Sequence, residues 1–124
     1  MTLQRLTKTA PSSEALIRVY QGKAVLNKKA ATLLDLHKDD LVLVCYDQEA
    51  YAAREVKRLY IGKTPSNGYK VKQRNDTFFV CSAVLCRSIA SCLDGYGTYR
   101  ICPEDFTRNI HENKYYNIFF KKYD

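Results

Sequence analysis

The sequence predicts a β-rich α+β fold, a barrel built from a tandem ββαββ repeat with two short helices. Three observations predict it. Short runs of β-branched and aromatic residues recur between Gly, Asn and Pro turn signals. Two apolar helix segments follow good N-cap residues, Asn27 and Ser82. The order strand, strand, helix, strand, strand in residues 15–63 returns in residues 68–124. One such unit has too few strands to bury its own faces, and two complete a barrel together.

Taken in order, residues 1–14 read as a flexible arm and 15–124 as one domain of two pseudo-repeats, 15–63 and 68–124. Ala15 to Tyr20 is a strand candidate, and Gly22 permits the tight turn after it. Ala24 to Leu26 is a short strand. Asn27 caps a helix whose Ala30, Leu33, Leu34 and Leu36 give one apolar face. His37 to Asp40 is an acidic turn, and Leu41 to Cys45 a strand. A polar turn follows at 46–49, with room for one helical turn at Ala50 to Ala53. Arg54 to Ile61 reads as a strand, and Gly62 to Gly68 as a loop rich in turn chemistry.

The second half opens with Tyr69 to Arg74 as one strand, Tyr69 and Val71 on one face and Lys70, Lys72 and Arg74 on the other. Asn75-Asp76 turns into the strand Thr77 to Cys81. Ser82 caps a helix with Leu85, Ile89 and Leu93 on one face, and Asp94 to Gly97 closes it. Thr98 to Cys102 is a strand halted by Pro103, and Glu104 to Lys114 a polar connection. Tyr115 to Tyr123 is the last strand, with Ile118 and Phe120 on one face and Phe119 on the other. Leu26 corresponds to Val80, and Cys45 to Cys102.

The formal net charge of +7 is concentrated. Residues 50–75 hold Arg54, Lys57, Arg58, Lys63, Lys70, Lys72 and Arg74 against Glu55 alone, while the flanking segments are near neutral. Such a segment attracts polyanions. Tyr60 and Tyr69 flank its loop and are candidates to stack on exposed bases. An ordinary solvated strand face, with lysines guarding a sheet edge, accounts for the same residues.

Catalytic signatures are missing: there is no G-x-S-x-G, G-x-x-x-x-G-K-[ST], G-x-G-x-x-G or H-E-x-x-H. Gly95-Tyr96-Gly97 follows a helix rather than preceding one, the wrong order for a phosphate cradle. Cys45, Cys81, Cys86, Cys92 and Cys102 form no C-x-x-C pair, and His37 and His111 are the only histidines, so the expectation is reduced thiols and no metal. Cys86 paired with His37 or His111 as nucleophile and base is unsupported by any spacing, and Asp39-Asp40 reads as a turn rather than a metal pair. No membrane span and no secretory signal are expected, which places the chain in the cytoplasm.

Gly22, Lys23, Val25, Leu26, Lys28, Leu34, Leu36, Asp40 and the strand Leu41 to Val44 together resemble the swapped-hairpin (SpoVT-AbrB-like) domain of AbrB-type transcription regulators and MazE-type antitoxins. The resemblance covers most of the first half, and the second half shares it by element order. That family's pattern carries a helix-opening Pro where Asn27 stands and a Gly at the position of Asp35. Asp39-Asp40 stands in place of its Gly-Asp turn, and the mid-helix arginine pair of some members falls on Ala31 and Thr32. The resemblance implies a cradle-loop-like barrel, DNA binding and transcription regulation. It also implies a barrel closed by dimerisation or, as in MraZ-like proteins, by a tandem copy.

The expectation is therefore a non-enzymatic nucleic-acid-binding protein. Arg54, Lys57, Arg58, Lys63, Lys70, Lys72 and Arg74 would meet phosphates, with Arg18 and Lys23 as hairpin contacts. DNA or RNA is the expected partner, with no cofactor, metal or small-molecule substrate. A barrel left open would expose the aromatic last strand as a homodimer face. The alternative is an interaction module, antitoxin-like or phage-type, that binds an acidic protein.

Overall fold

Asn27 begins the fold's first fixed corner. Its side-chain oxygen accepts from the backbone N–H groups of Ala30 (2.9 Å) and Leu16 (3.1 Å), while its amide donates to the Glu14 carbonyl (2.9 Å). One side chain thus caps a helix and ties it to the strand two elements earlier. In the computed structural model, which describes residues 14–46, 58–108 and 113–123, that strand is β1 (Leu16–Tyr20) and the helix α1 (Lys28–Leu34), with β2 (Lys23–Leu26) between them. The chain continues through β3 (Leu41–Tyr46), β4 (Leu59–Thr64), β5 (Tyr69–Lys70), β6 (Lys72–Arg74), β7 (Thr77–Val80), α2 (Ala83–Cys92), β8 (Gly97–Arg108) and β9 (Lys114–Lys122). Of the arm expected over residues 1–14, residues 1–13 lie outside the described residues, as does the helical turn expected at 50–53, while Glu14 is held by Asn27 and Arg100 rather than free.

All pairings are antiparallel, and the nine strands form one sheet in the order β5-β3-β4-β9-β8-β1-β2-β7-β6. Its two ends are consecutive pieces of one segment, so the sheet curls into a nearly closed barrel. The join is at Val71: its N–H donates to the Asp40 carbonyl (2.8 Å), and its carbonyl accepts from the Asp39 N–H (3.0 Å). The single strand expected over 69–74 is therefore two, β5 on β3 and β6 on β7, broken where Val71 bonds to the turn instead. Exposed edges invite mispairing, and this closure removes most of them.

The barrel interior holds Ile17, Val19, Leu26, Val42, Ile61, Val71, Tyr99, Ile101 and Ile118, all nearly inaccessible. Burying each aliphatic side chain contributes about 1.5–3 kcal/mol. Both helices cover the barrel through Ala30, Ala31 and Leu34 of α1 and Leu85, Cys86 and Ile89 of α2. Ser82 caps α2 by accepting from the Leu85 N–H (3.1 Å).

Four sequence expectations are corrected. Helix α1 stops at Leu34 rather than running to Leu36, because Asp35 turns left-handed at φ 54°. Strand β4 runs through Gly62 to Thr64, where a loop was expected. Gly62 belongs there because a Cβ would meet the Lys114 carbonyl oxygen at 2.6 Å and the Tyr115 ring at 2.8 Å. Pro103 does not end β8. Three residues, Pro103 to Asp105, bulge out between the pairs Cys102–Asn117 and Phe106–Tyr116, which accommodates a proline without a ladder donor. In β9, Tyr115 to Ile118 are all buried and Phe119 and Phe120 both exposed, so the expected alternation fails.

Candidate functional site

Period-two alternation sends Ile17, Val19, Ala24, Leu26, Phe78 and Val80 into the barrel. Their neighbours Arg18, Tyr20, Lys23, Val25, Thr77 and Phe79 therefore point outward. Register aligns Thr98, Arg18, Val25, Phe79 and Lys72 as one row across β8, β1, β2, β7 and β6. Arg74 faces Thr77 two pairs along. With an interstrand spacing near 4.8 Å, Arg18 and Lys72 lie about 14 Å apart on this surface. No Asp or Glu occurs in β1, β2, β6 or β7. Among the described residues Lys23, Lys70, Lys72 and Arg74 make no ion pair, and all four are exposed.

Two of these cations are held over rings. The Arg18 guanidinium stands 5.9 Å from the Tyr20 ring centre, donating to Thr98 Oγ1 (2.8 Å) and to the Tyr20 hydroxyl oxygen (3.3 Å). Lys23 Nζ stands 5.2 Å from the Phe79 ring centre. Tyr20 is also one wall of an open groove of about 430 Å³ formed with Arg18, Val19, Gln21, Tyr96, Gly97 and Thr98. Beside this face Arg100 is fully engaged, its guanidinium donating to Glu14 (2.7 Å) and to Glu104 (2.8 Å). Those hydrogen bonds, Glu104's first, raise the Arg100 pKa and hold the Glu104 carboxyl below its usual range.

The basic segment expected to act as a unit is divided by the fold. Lys72 and Arg74 lie on the outward side of β6, across β7 from Lys23, while Lys70 is exposed on β5, which pairs with β3, and Tyr69 and Val71 turn to the core. Lys63 lies on β4, elsewhere in the sheet. Its ammonium donates to the Asp35 carbonyl (2.8 Å) and sits 3.5 Å from Asp40 Oδ2. Arg58 donates to the Tyr60 hydroxyl oxygen (3.2 Å) and lies 4.0 Å from Asp105. Arg54 and Lys57 lie outside the described residues.

Of the rings expected to stack, Tyr60 is buried and Tyr69 half-buried. Tyr60 is only 8% exposed, set between Cys45 and Asn117 on neighbouring strands, and Tyr69 packs against the core. The accessible rings beside the cations are instead Tyr20, Tyr96 and part of Phe79. Tyr20 was legible as the residue alternating with Arg18. Phe79 and Tyr96 carried no local signal, because only the β2–β7 and β1–β8 pairings bring them to this surface.

Burial pushes the Cys45, Cys86 and Cys102 thiols up, which keeps them protonated. His37 contacts Asp40 and Asp35 in the turn before β3, while Cys86 is buried on α2. His111 lies outside the described residues. Among the described residues no group of three or more His, Cys, Asp or Glu side chains is placed to hold a metal, and no helix is long and apolar enough to cross a membrane.

No protein-family model, no curated protein and no solved structure matches the chain.

Proposed function

We propose that this chain is a non-enzymatic nucleic-acid-binding protein, a regulator of the AbrB-like swapped-hairpin kind in tandem form. Its phosphate-binding face is the outward side of β1, β2, β6 and β7. The observation that carries the reading is the set Arg18, Lys23, Lys72 and Arg74 exposed on a surface whose four strands contain no carboxylate, with Lys70 exposed on β5, the preceding piece of the β6 segment. Each cation that neutralises a phosphate releases condensed counterions and adds salt-sensitive affinity.

Two further features support the tandem swapped-hairpin reading. Six of the eight pairings exchange under the correspondence of halves: β1–β2 matches β6–β7, β3–β4 matches β8–β9, and β2–β7 and β4–β9 join the two, while β1–β8 is answered by β3 pairing with β5, the piece before β6. The two positions where the family pattern carries Gly, Asp35 and Asp39, both adopt left-handed backbone, φ 54° and 71°.

The test is a titration of labelled DNA across a salt series. Binding should weaken as salt rises, and Lys72→Ala or Arg74→Ala should each lower the log–log slope by about 0.7–0.9. Lys63→Ala should leave the slope unchanged. No binding at low salt, or binding indifferent to replacing Lys70, Lys72 and Arg74 together, ends the proposal. Recovery of one stoichiometric acidic protein, with no nucleic acid, would give this face to a protein partner.

A further inference from the structure

The face combines cations with exposed rings, and the rings indicate which form of nucleic acid fits it. Tyr20 is 44% exposed and Tyr96 39%, and both line the open groove beside Arg18 and Thr98. Arg18 fixes the Tyr20 ring from one side through its hydroxyl contact and its position over the ring. The stem of Lys122 passes over Gly97 in the groove wall, where a Cβ would stand 3.1 Å from Lys122 Cδ and Cε. The groove thus has two rings and a guanidinium held against one of them.

Base faces are covered by their neighbours in a duplex and open in a single strand. An exposed ring on a sheet gains stacking only from the open form. Duplex reading in the major groove calls for a helix or ribbon presenting donors to base edges. Helix α1 has Ala31 and Thr32 at its centre, and Ala31 is buried. We infer that the groove formed by Tyr20, Tyr96, Arg18 and Thr98 is a base-stacking site for single-stranded nucleic acid. The strand's phosphates run onward over Lys23, Lys72 and Arg74. This rests on the phosphate-binding face proposed above and adds the strandedness of its ligand.

The experiment compares the full chain's binding to a labelled oligothymidylate and to a blunt duplex of equal length, with tyrosine fluorescence as a second readout. The single strand should bind more tightly and quench tyrosine emission. Tyr20→Ala and Tyr96→Ala should each weaken it by about five- to a hundred-fold while leaving the salt slope unchanged. Tyr20→Phe and Tyr96→Phe keep the ring and should retain binding. Duplex binding equal to or tighter than single-strand binding, with both Ala variants silent, overturns the stacking site and leaves the phosphate face standing. A folded Phe variant that loses single-strand binding also overturns the stacking site. Failure of both probes to bind at low salt overturns the face and the groove together.

Discussion

Lys23 reaches diagonally across the sheet to place its ammonium 5.2 Å from the centre of the Phe79 ring, past Val25, whose direct partner is Phe79. Diagonal neighbours on paired strands are within reach of long side chains. The contact holds one of the face's cations above the sheet instead of letting it sweep freely. A double-mutant cycle of Lys23→Ala and Phe79→Ala, read by urea unfolding, should give a coupling of about 0.5–1 kcal/mol, as expected of an exposed cation–ring pair. A coupling indistinguishable from zero would mean the ring does not position the ammonium.

The two helix caps differ in what they hold. Ser82 satisfies one backbone donor, the Leu85 N–H. Asn27 satisfies the Ala30 and Leu16 N–H groups and also donates to the Glu14 carbonyl. Ser82→Ala should therefore cost about 0.5–2 kcal/mol, the range for a lost cap. Asn27→Ala should cost about 2–4 kcal/mol, since two more hydrogen bonds go and the start of β1 is released. Equal losses in thermal or urea unfolding would show that the strand anchor contributes nothing beyond the cap.

Local chemistry was legible in the sequence wherever one residue decides the backbone. Asn27, Ser82 and Gly22 placed the helix starts and the first turn, and alternation placed Lys72 and Arg74 on the outward side of β6. What was not legible depended on partners far along the chain. Gly62 reads as a loop residue until β9 is laid against it, and Val71 as an ordinary strand residue until the Asp39-Asp40 turn bonds its backbone. Pro103 reads as a stop because a bulge that accepts it is defined by the opposite strand. Charge was legible only along the chain, for the same reason. Charge counted along the chain joined Arg58 and Lys63 to the basic segment, yet β4 carries Lys63 to Asp35 and Asp40, and Arg58, just before β4, lies beside Asp105.

Asp40 links that turn to pH. Burial raises its carboxyl pKa, but the His37 backbone N–H at 2.7 Å, the Lys63 ammonium and the His37 ring together outweigh burial and hold it below its ordinary 3.8. A carboxyl depressed in the folded state adds stability above its unfolded pKa, and that stability is lost as pH falls through the folded value. Urea midpoints should therefore hold near neutral pH and fall below about pH 4. Asp40→Asn retains an acceptor for His37 and removes the charge. It should lower stability at neutral pH by about 1 kcal/mol and flatten the acid limb. An acid limb as steep as that of the parent protein would assign the loss to other carboxylates.

Gly62 sets how closely β9 approaches β4. The register pairs Ile61 with Tyr116, and the chain beside that pair presses the Lys114 carbonyl and the Tyr115 ring onto the glycine's α-carbon. In Gly62→Ala the added methyl would lie 2.6 Å from a backbone oxygen, which cannot rotate away as a side-chain end could. The strands must separate, opening a sheet whose register here also buries Ile61 and Ile118. The expected cost is about 2–3 kcal/mol, the upper part of the overpacking range. Tyr115→Ala in the same chain should recover little of it, because the nearer obstacle is the Lys114 oxygen. Full recovery by Tyr115→Ala would instead identify the ring as the element that fixes the spacing of β4 and β9.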